Sequence, residues 1–446
     1  MKDAVLKDYR TRTPESEKLF ERAKKVMAGG VCHNIRYFPP YPFYIKEARG
    51  SKVWDVDGNE YIDLWMAHYE AILGHSPEII VNEVSRILSK GMHWGLVNEY
   101  QVELAELICQ VVPSAEKVRF CCSGTEATMY AVRLARAFTG KSVILKVEGG
   151  WHGANTDLSV AIHSPYEEKE SAGLLPEVSQ YTKSVPFNDV EGSLRIMRQN
   201  AESLAAVLIE PVPGQGYVPA ESGYLQALRE ETRKLDALLI FDEVIDGFRL
   251  SLGGAQEKYG IIPDLTTLGK ILGGGMPIGA VVGKKNILDL SDPTRVNSKW
   301  VLAGGGTFSA NPLSMAAGIR MITYLKENAD IIYPELDRNG ERIRREIEKA
   351  FNDNGVLARC IGDGSLFGLQ FPFEEETELR SPKDIEELTD LERRDEDLKL
   401  RMLRHGVHVW KGGGALSTAH SDEDIQSIIE AYRKVAREMA KEQEKI

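Results

Sequence analysis

The sequence predicts an α/β fold, with a large domain built on a parallel or mixed sheet and a smaller α+β domain. From about Val81 onward, short apolar runs of strand length alternate with helical segments, which is typical of a sheet flanked by helices. After about Ile319 the helical segments become longer and more charged, which favours a second domain. With 446 residues, the chain is long enough for two or three domains.

The individual elements follow from local patterns. In the N-terminal region, where Gly29 and Gly30 are helix-ending residues, we expect a helix over 16–28 and strands over 43–48, 52–55 and 61–63. The apolar runs of the large domain predict strands over 118–120, 142–147, 205–209, 237–241, 265–268 and 280–283. Further helices are expected over 127–138, 314–325, 338–349 and 381–404.

Composition excludes several classes of function. The chain is 43% hydrophobic and 27% charged, as expected for a globular protein, and its net charge of −12 argues against binding to a phosphate backbone. It has no apolar run of eighteen residues, and its charged N-terminus lacks the apolar stretch of a signal peptide. The five cysteines include no CxxC, and the histidines show no metal-binding spacing. We therefore expect a cytoplasmic protein without a metal site.

Two charged residues stand at the ends of buried apolar runs. Asp242 closes the run over 238–241, and Lys270 follows the run over 265–268. Ionised side chains are rarely buried without a partner, so the pair indicates a bound group that needs both. Pyridoxal phosphate is such a group, because its aldehyde forms a Schiff base with a lysine and its pyridine nitrogen pairs with a carboxylate. Taken singly, each residue is equally well explained as a surface charge at the end of an element.

The segment Ser123-Gly124-Thr125 opens a helix directly after a short strand. Its hydroxyls, its backbone amides and the positive end of the helix dipole favour a phosphate. The alternative is a simple capping box, with Ser123 as N-cap and Glu126 three residues later. A cap and a phosphate compete only in part for the same donors, so both assignments stay open.

Other strand ends carry residues suited to a flat cofactor. Trp151 can stack on a pyridine ring and His152 can form a hydrogen bond, although a packed tryptophan beside a solvated histidine explains the same pair. Glu210 ends the next strand and can orient a ring hydroxyl or its neighbours. Glycine-rich turns lie at 273–279, near Lys270, and at 304–306, before Thr307. The second turn indicates either another phosphate contact or a helix entry.

Six motifs occur in order along the chain, namely SGTEA at 123–127, GGWHG at 149–153, EPV at 210–212, DEVIDGFR at 242–249, LGKILGGGMPIGA at 268–280 and GTFSANPLSMAAG at 306–318. This set resembles the class III aminotransferases, which are pyridoxal-phosphate enzymes of fold type I. Within that class it is most similar to the glutamate-1-semialdehyde 2,1-aminomutases. The resemblance covers nearly the whole chain and implies a seven-stranded, mostly parallel sheet, pyridoxal 5'-phosphate as cofactor and a homodimer with shared active sites.

The resemblance also implies roles for the matching residues. Lys270 would form the Schiff base, Asp242 would pair with the pyridine nitrogen, and Thr307 would reach the phosphate of the neighbouring subunit. Arg36 would bind the substrate carboxylate, for which its planar guanidinium is suited, the alternative being a surface arginine in a loop. Local patterns and the resemblance together give the candidate cofactor contacts, which are Ser123, Gly124, Thr125, Trp151, His152, Glu210, Asp242, Val244, Lys270 and Thr307.

Four positions depart from the aminomutase pattern. His33 stands where a serine is usual, His68 where a tryptophan is usual, and Asp246 where a threonine is usual. The stretch Gly412–Gly414 lacks the glutamate of the aminomutase gating loop. All four are expected on the substrate side, so the cofactor chemistry should survive while the substrate differs. Arg36, His33 and His68 are the candidate substrate contacts.

The preferred function is transfer of an amino group from a small amino acid, for example a β- or ω-amino acid, to a keto acid. Three alternatives stay open: a true glutamate-1-semialdehyde 2,1-aminomutase that makes 5-aminolevulinate, a racemase or epimerase with His33 or His68 as second acid or base, and a non-catalytic regulator that binds pyridoxal phosphate. The expected domains are an N-terminal segment over 1–65, a large cofactor-binding domain over 66–318 and a small domain over 319–446.

Overall fold

A computed structural model describes residues 2–166, 170–295 and 299–443. The strands in these ranges are β1 Ile45–Arg49, β2 Lys52–Asp55, β3 Glu60–Asp63, β4 Lys117–Cys121, β5 Val143–Val147, β6 Thr182–Val185, β7 Leu204–Ile209, β8 Leu238–Asp242, β9 Leu265–Gly269, β10 Gly279–Gly283, β11 Arg359–Ile361, β12 Leu366–Gln370, β13 Val407–His408 and β14 Gly413–Ala415. The α-helices are α1 Lys2–Arg12, α2 Pro14–Lys24, α3 Met66–Tyr69, α4 Glu78–Leu88, α5 Glu99–Val111, α6 Gly124–Thr139, α7 Val178–Tyr181, α8 Val190–Gln199, α9 Ser222–Lys234, α10 Ala255–Tyr259, α11 Lys285–Leu288, α12 Pro312–Glu327, α13 Ala329–Asn352, α14 Pro382–Leu388, α15 Lys399–Arg404 and α16 Asp422–Gln443.

Internal packing groups the chain into two units. Unit 1 comprises residues 1–77, 336–377 and 388–446, and unit 2 comprises residues 78–335 and 378–387. Unit 1 thus combines segments from both ends of the chain. The domain limits at residues 65 and 318 that the sequence suggests stay a prediction.

Unit 2 is built on a seven-stranded sheet with the order β4-β10-β9-β8-β7-β5-β6. The five strands from β9 to β6 run parallel to one another, whereas β10 is antiparallel to both β9 and β4. Every residue of β5, β7, β8, β9 and β10 is buried, which explains why these strands are mainly apolar without alternation, since they are covered on both faces. This sheet confirms the predicted α/β class and the mostly parallel, seven-stranded arrangement.

Unit 1 contains two smaller sheets, β1-β2-β3-β13 and β11-β12-β14. In the first, β13 pairs in parallel with β3, which joins residues about 345 positions apart. An aromatic cluster that includes Tyr9, Phe20, Tyr41 and Tyr61 packs beside this sheet. The long helix α13 and the C-terminal helix α16 contribute further buried faces.

One expectation about elements was wrong, and one strand of the seven-stranded sheet was missed. The segment 381–404 is not one helix, because residues near Leu388 and Asp390 form backbone hydrogen bonds with Phe371 and Phe373 and so interrupt it between α14 and a π-helical turn at Arg393–Leu398. Strand β6 was not predicted, because Thr182–Val185 lies at the sheet edge with only its two end residues buried and therefore has no apolar run.

No helix among the described residues is both long enough and apolar enough to cross a membrane.

Candidate active site

The turn at Ser123 begins the sixteen-residue helix α6. Ser123 has an extended backbone, and its hydroxyl accepts a hydrogen bond from the Glu126 amide at 3.3 Å. In return the Glu126 carboxylate accepts from the Cys122 amide at 2.6 Å. Ser123 is therefore an N-cap, as the capping-box alternative expects, but Glu126 binds the amide of Cys122 and not that of Ser123. This arrangement leaves the amides of Gly124 and Thr125 at the positive end of the helix, where an anion is favoured.

Val244 links this turn to the region of Lys270. A methyl group built on Gly124 would come within 2.9 Å of Val244 Cγ1, and one built on Gly269 would come within 3.3 Å of the same atom. Val244 therefore contacts both the start of α6 and the residue before Lys270. Three motifs that lie far apart in the sequence meet here, at the carboxyl ends of β4, β8 and β9, and ligands of open α/β sheets bind at this edge.

Asp242 is buried at the end of β8 and is held by several donors. Its Oδ2 lies 2.8 Å from His152 Nδ1, and its Oδ1 accepts from the Thr267 hydroxyl at 2.8 Å. The Val244 amide also donates to Oδ1, at 3.2 Å. These contacts fix the carboxylate in one orientation. They also correct the idea of a solvated histidine, because His152 is only 1% exposed.

Two buried charged residues form hydrogen bonds with the backbone of the loop that carries Trp151. Glu210 Oε1 accepts from the Trp151 amide at 2.7 Å, and burial raises the pKa of that carboxyl. Lys146 in β5 donates to the carbonyls of Gly150 at 2.6 Å and Val160 at 2.7 Å, and burial lowers its pKa to about 7. The Trp151 side chain itself is 46% exposed. Lys146 was not among the predicted site residues, although a lysine within an apolar run was a visible signal.

Lys270 follows β9 directly and has a left-handed backbone, with φ +46°. Desolvation of the amine lowers its pKa, while the negative charges of Asp242, Glu210 and Asp246 oppose that shift. A lysine with a lowered pKa is more readily neutral and nucleophilic at physiological pH than an exposed one. Backbone strain at a non-glycine residue is most often found at functional sites.

These residues fit pyridoxal phosphate. The start of α6 is suited to its phosphate, Lys270 to its aldehyde and the buried Asp242 to its pyridine nitrogen. His152 Nε2 is buried and has no hydrogen-bond partner among the described residues, so it is available to a bound group. Unit 2 alone thus contains an anion site, an amine and a carboxylate around the Val244 side chain.

Thr307 lies in an exposed loop that approaches the same turn. The Gly305 amide donates to the Tyr130 hydroxyl at 2.9 Å, and a methyl group built on Gly306 would come within 3.2 Å of Cys122 Sγ. The loop therefore packs against α6 within the same chain. The proposed contact of Thr307 with a neighbouring subunit stays a prediction.

The three candidate substrate residues belong to unit 1. Arg36 and His68 line one cavity of about 670 Å³, and the ring of His33 lies 5.6 Å from that of His68. His33 Nδ1 accepts from the Ile35 amide at 3.4 Å. Among the described residues no carboxylate pairs with the Arg36 guanidinium. The structure thus brings the three candidate substrate residues close together in unit 1. The candidate cofactor residues lie close together in unit 2.

A buried His-Asp-His cluster beside this cavity was not anticipated. Asp63 accepts from His408 Nδ1 and from His75 Nε2, both at 2.8 Å, and from the amides of Trp65 and Met66 at 3.0 Å. Although burial alone would raise its pKa, the two histidines hold the pKa of Asp63 well below its ordinary value. His408 lies far from Asp63 in sequence, so only the parallel pairing of β13 with β3 reveals the cluster.

Asp246 is a buried carboxyl beside the cofactor residues. Its Oδ2 accepts from the Val212 amide at 2.8 Å, and its Oδ1 has no partner among the described residues. Burial raises its pKa well above the ordinary value, and the charges of Glu243, Glu210 and Asp242 add to that shift. Burial therefore favours the protonated form of Asp246 more than it is favoured in an exposed aspartate.

Asp246→Asn is expected to stabilise the protein at neutral pH, because the folded state no longer has to bury a carboxyl group that ionises readily in the unfolded chain. The folded-state pKa is raised, so the wild type loses stability as pH rises from the unfolded-state pKa of about 4 toward the folded-state value. The amide variant has no such loss. In thermal unfolding, the melting temperature of Asp246→Asn should exceed that of the wild type at pH 7 and should equal it near pH 4. A difference in melting temperature that does not depend on pH would contradict the assignment.

The sequence matches the family Aminotransferase class-III over residues 36–431. It is 40% identical over 426 residues to a glutamate-1-semialdehyde 2,1-aminomutase of Methanosarcina acetivorans, covering 94% of this chain and 97% of that protein. The structure resembles an omega-transaminase from Sphaerobacter thermophilus, with TM-score 0.88, 34% identity and coverage of 96% and 98% of the two chains. It also resembles a beta-phenylalanine aminotransferase from Variovorax paradoxus, with TM-score 0.87, 31% identity and coverage of 98% and 97%.

Proposed function

Because this chain is a class III aminotransferase, an enzyme family that uses pyridoxal phosphate, we propose that it converts glutamate 1-semialdehyde to 5-aminolevulinate as a 2,1-aminomutase. The 40% identity to a protein of that name over 94% of the chain carries this choice. From the sequence patterns alone, we preferred amino-group transfer from a small β- or ω-amino acid. The identity to the aminomutase favours the aminomutase alternative instead.

We assign to the site residues the following roles, which their positions support. Bound pyridoxal phosphate supplies the electron sink that weakens a bond at the substrate Cα. Asp242, oriented by His152 and Thr267, keeps a negative charge at the pyridine nitrogen. Lys270 would hold the cofactor aldehyde through its Nζ, and the same amine, with its lowered pKa, is suited to accept and return a proton.

The remaining residues bind and orient. The amides of Gly124 and Thr125, with the Ser123 and Thr125 hydroxyls, hold the phosphate at the start of α6. Trp151 would cover one face of the cofactor ring and Val244 the other, and Glu210 accepts a hydrogen bond from the Trp151 amide. Arg36, with His33 and His68 nearby, binds the substrate carboxylate through its guanidinium fork. We place the reaction in the cytoplasm, because the five cysteines are free thiols.

The direct test is turnover without an amino acceptor. Purified protein saturated with cofactor receives glutamate 1-semialdehyde alone, and 5-aminolevulinate is quantified over time. An aminomutase forms many equivalents of product per active site, because the amino group stays with the carbon skeleton. Product limited to about one equivalent, or none, would overturn the proposal.

One structural observation favours a second candidate, a transaminase for β- or ω-amino acids. The stretch that replaces the gating loop is a tight turn in which Trp410 and Gly413 exchange two backbone hydrogen bonds, of 2.8 and 2.9 Å. A methyl group built on Gly412 would come within 2.3 Å of the Leu369 carbonyl, so the turn packs closely against β12. A reaction with β-phenylalanine and a keto acid, but not with the semialdehyde, would establish this candidate.

We also propose that the active unit is a homodimer. Five large apolar side chains with more than 60% exposure lie in two segments of unit 2, namely Met92, Leu96, Val97, Leu302 and Phe308. The segments are linked, because the rings of His93 and Phe308 lie 5.0 Å apart and Asn98 donates to the Ala310 carbonyl at 3.0 Å. A patch of this kind marks a protein interface.

The double variant Leu96→Asp/Phe308→Asp is expected to shift the protein to monomers, because charges in the centre of an apolar interface are left without solvent or partners. Sedimentation velocity measures the change, with Ile262→Asp as a control at an exposed apolar residue outside the patch. A dimer of unchanged stability would show that the patch is not the interface.

A further inference from the structure

Lys399, the first residue of α15, is a buried cation without a carboxylate partner. It is 4% exposed, and its amine lies 4.2 Å from the ring centroid of Phe38 and 4.4 Å from that of Trp410. No described residue accepts a hydrogen bond from the amine. Contacts with two ring faces stabilise an ammonium group, but they do not replace the hydrogen bonds that it makes in water.

The two nearest acidic groups are already engaged elsewhere. Asp395 forms two hydrogen bonds of 2.7 Å with the Arg394 guanidinium. Asp63 accepts from His75, His408 and two backbone amides. Burial lowers the pKa of Lys399 to about 7, and the attraction of Asp395 and Asp63 offsets this only in part.

Lys399 and Arg36 line the same cavity of about 670 Å³ in unit 1, together with Phe38, Trp65 and His68. Neither cation has a carboxylate partner among the described residues, whereas the cavity's one acidic residue, Asp63, is saturated. The ring of Trp65 stacks on that of Trp410 at 4.8 Å, which fixes the aromatic surface under the Lys399 amine. The cavity thus offers two cations and flat apolar walls, a combination that suits a small organic anion.

We propose that Lys399 is a specificity-determining residue that binds a substrate carboxylate in this cavity, alongside Arg36. The proposal rests on the proposed function in one respect, since it identifies the ligand as a carboxylate-bearing substrate of that reaction. The binding site itself is independent of which amino-group transfer the enzyme performs. A carboxylate at Lys399 would supply the hydrogen-bond acceptor that the ammonium group lacks.

The probes are glutarate, a five-carbon dicarboxylate, and glutaramide, its uncharged diamide of the same shape. Their dissociation constants for the cofactor-loaded enzyme are measured by calorimetry, which needs no turnover. Lys399→Met keeps an unbranched apolar side chain over the rings, Lys399→Arg keeps the charge, and Lys349→Met serves as a control at an exposed lysine. Cofactor loading is checked by absorbance for each variant.

We expect Lys399→Met to weaken glutarate binding by about tenfold or more, as for the loss of one charge-assisted hydrogen bond, and to leave glutaramide unchanged. Lys399→Arg and Lys349→Met should bind glutarate within about threefold of wild type. Equal glutarate binding by wild type and Lys399→Met would overturn the proposal, even if the protein forms 5-aminolevulinate. Conversely, the expected binding pattern in a protein without aminomutase turnover would support the site and reject only the proposed function.

The pH dependence in the wild type keeps the proposal testable if Lys399→Met does not fold. Binding requires the ammonium form, so glutarate affinity should fall as pH rises through about 7, with proton uptake on binding. The other charged groups facing this region are Arg36, His68, His75, His408, Asp63 and Asp395. Lys399→Arg stays charged over this pH range, so the pH dependence of its glutarate affinity gives the contribution of these other groups. The same pH dependence in wild type and Lys399→Arg would overturn the assignment to Lys399.

Discussion

Lys270→Ala is expected to abolish turnover, with a loss of at least about 10⁴-fold, because one side chain supplies both the covalent link to the cofactor and the proton transfer. The visible absorbance of the lysine-bound cofactor should disappear at the same time. Both effects follow from the position of Lys270 directly after β9, where the carboxyls of Asp242, Glu210 and Asp246 act on its amine. Absorbance spectra and an activity assay of the purified variant measure them.

Two controls make this result specific. Lys285→Ala removes an exposed lysine just after β10 and should leave spectrum and rate unchanged. Added methylamine should restore part of the rate of Lys270→Ala, because a small free amine can take over the proton transfer. A variant that keeps the wild-type rate without any added amine would refute the catalytic role of Lys270.

Asp242→Asn is expected to bind the cofactor but to lose about 10² to 10³-fold in rate, comparable to the loss of one preorganised electrostatic contact in other enzymes. The variant keeps the shape of the side chain, yet it removes the negative charge that His152 and Thr267 orient. Stopped-flow measurement should place the loss in deprotonation of the substrate, with the KM little changed.

Thr267→Val provides the matched comparison, since it removes the hydroxyl donor to Oδ1 and leaves the charge of Asp242 in place. Its loss in rate should be smaller, by about tenfold or more, than that of Asp242→Asn. Equal losses in the two variants would mean that orientation of the carboxylate, and not its charge, determines the rate.

Much of unit 2 could be predicted because its signals are local. The runs that became β7, β8 and β9 are mainly apolar and wholly buried, as expected for strands of a parallel sheet that is covered on both faces. The carboxyl ends of such strands meet at one edge, so Asp242 and Lys270 could be paired before the structure was known. Val244 was named as a cofactor contact only because of the resemblance to a family, and its contacts with Gly124 and Gly269 became visible only in the structure.

Unit 1 was less predictable because its contacts join distant segments. Asp63 is buried with His408, and Arg36 shares a cavity with Lys399, yet no local pattern in the sequence connects either pair. Lys399 lies in a charged segment that reads as a solvated helix, and only the packing against Phe38 and Trp410 shows that its amine is buried. The same long-range packing interrupts the helix expected over 381–404.

The central claim is that Lys270, and no other lysine, holds the cofactor. Lys146 and Lys399 are its natural competitors, because burial lowers the pKa of each to about 7. Borohydride reduction of the cofactor-loaded protein, followed by digestion and mass spectrometry, locates the attached phosphopyridoxyl group. Its mass on the peptide that contains Lys270 is the predicted result, whereas attachment at Lys146 or Lys399, or no attachment at all, would contradict the account.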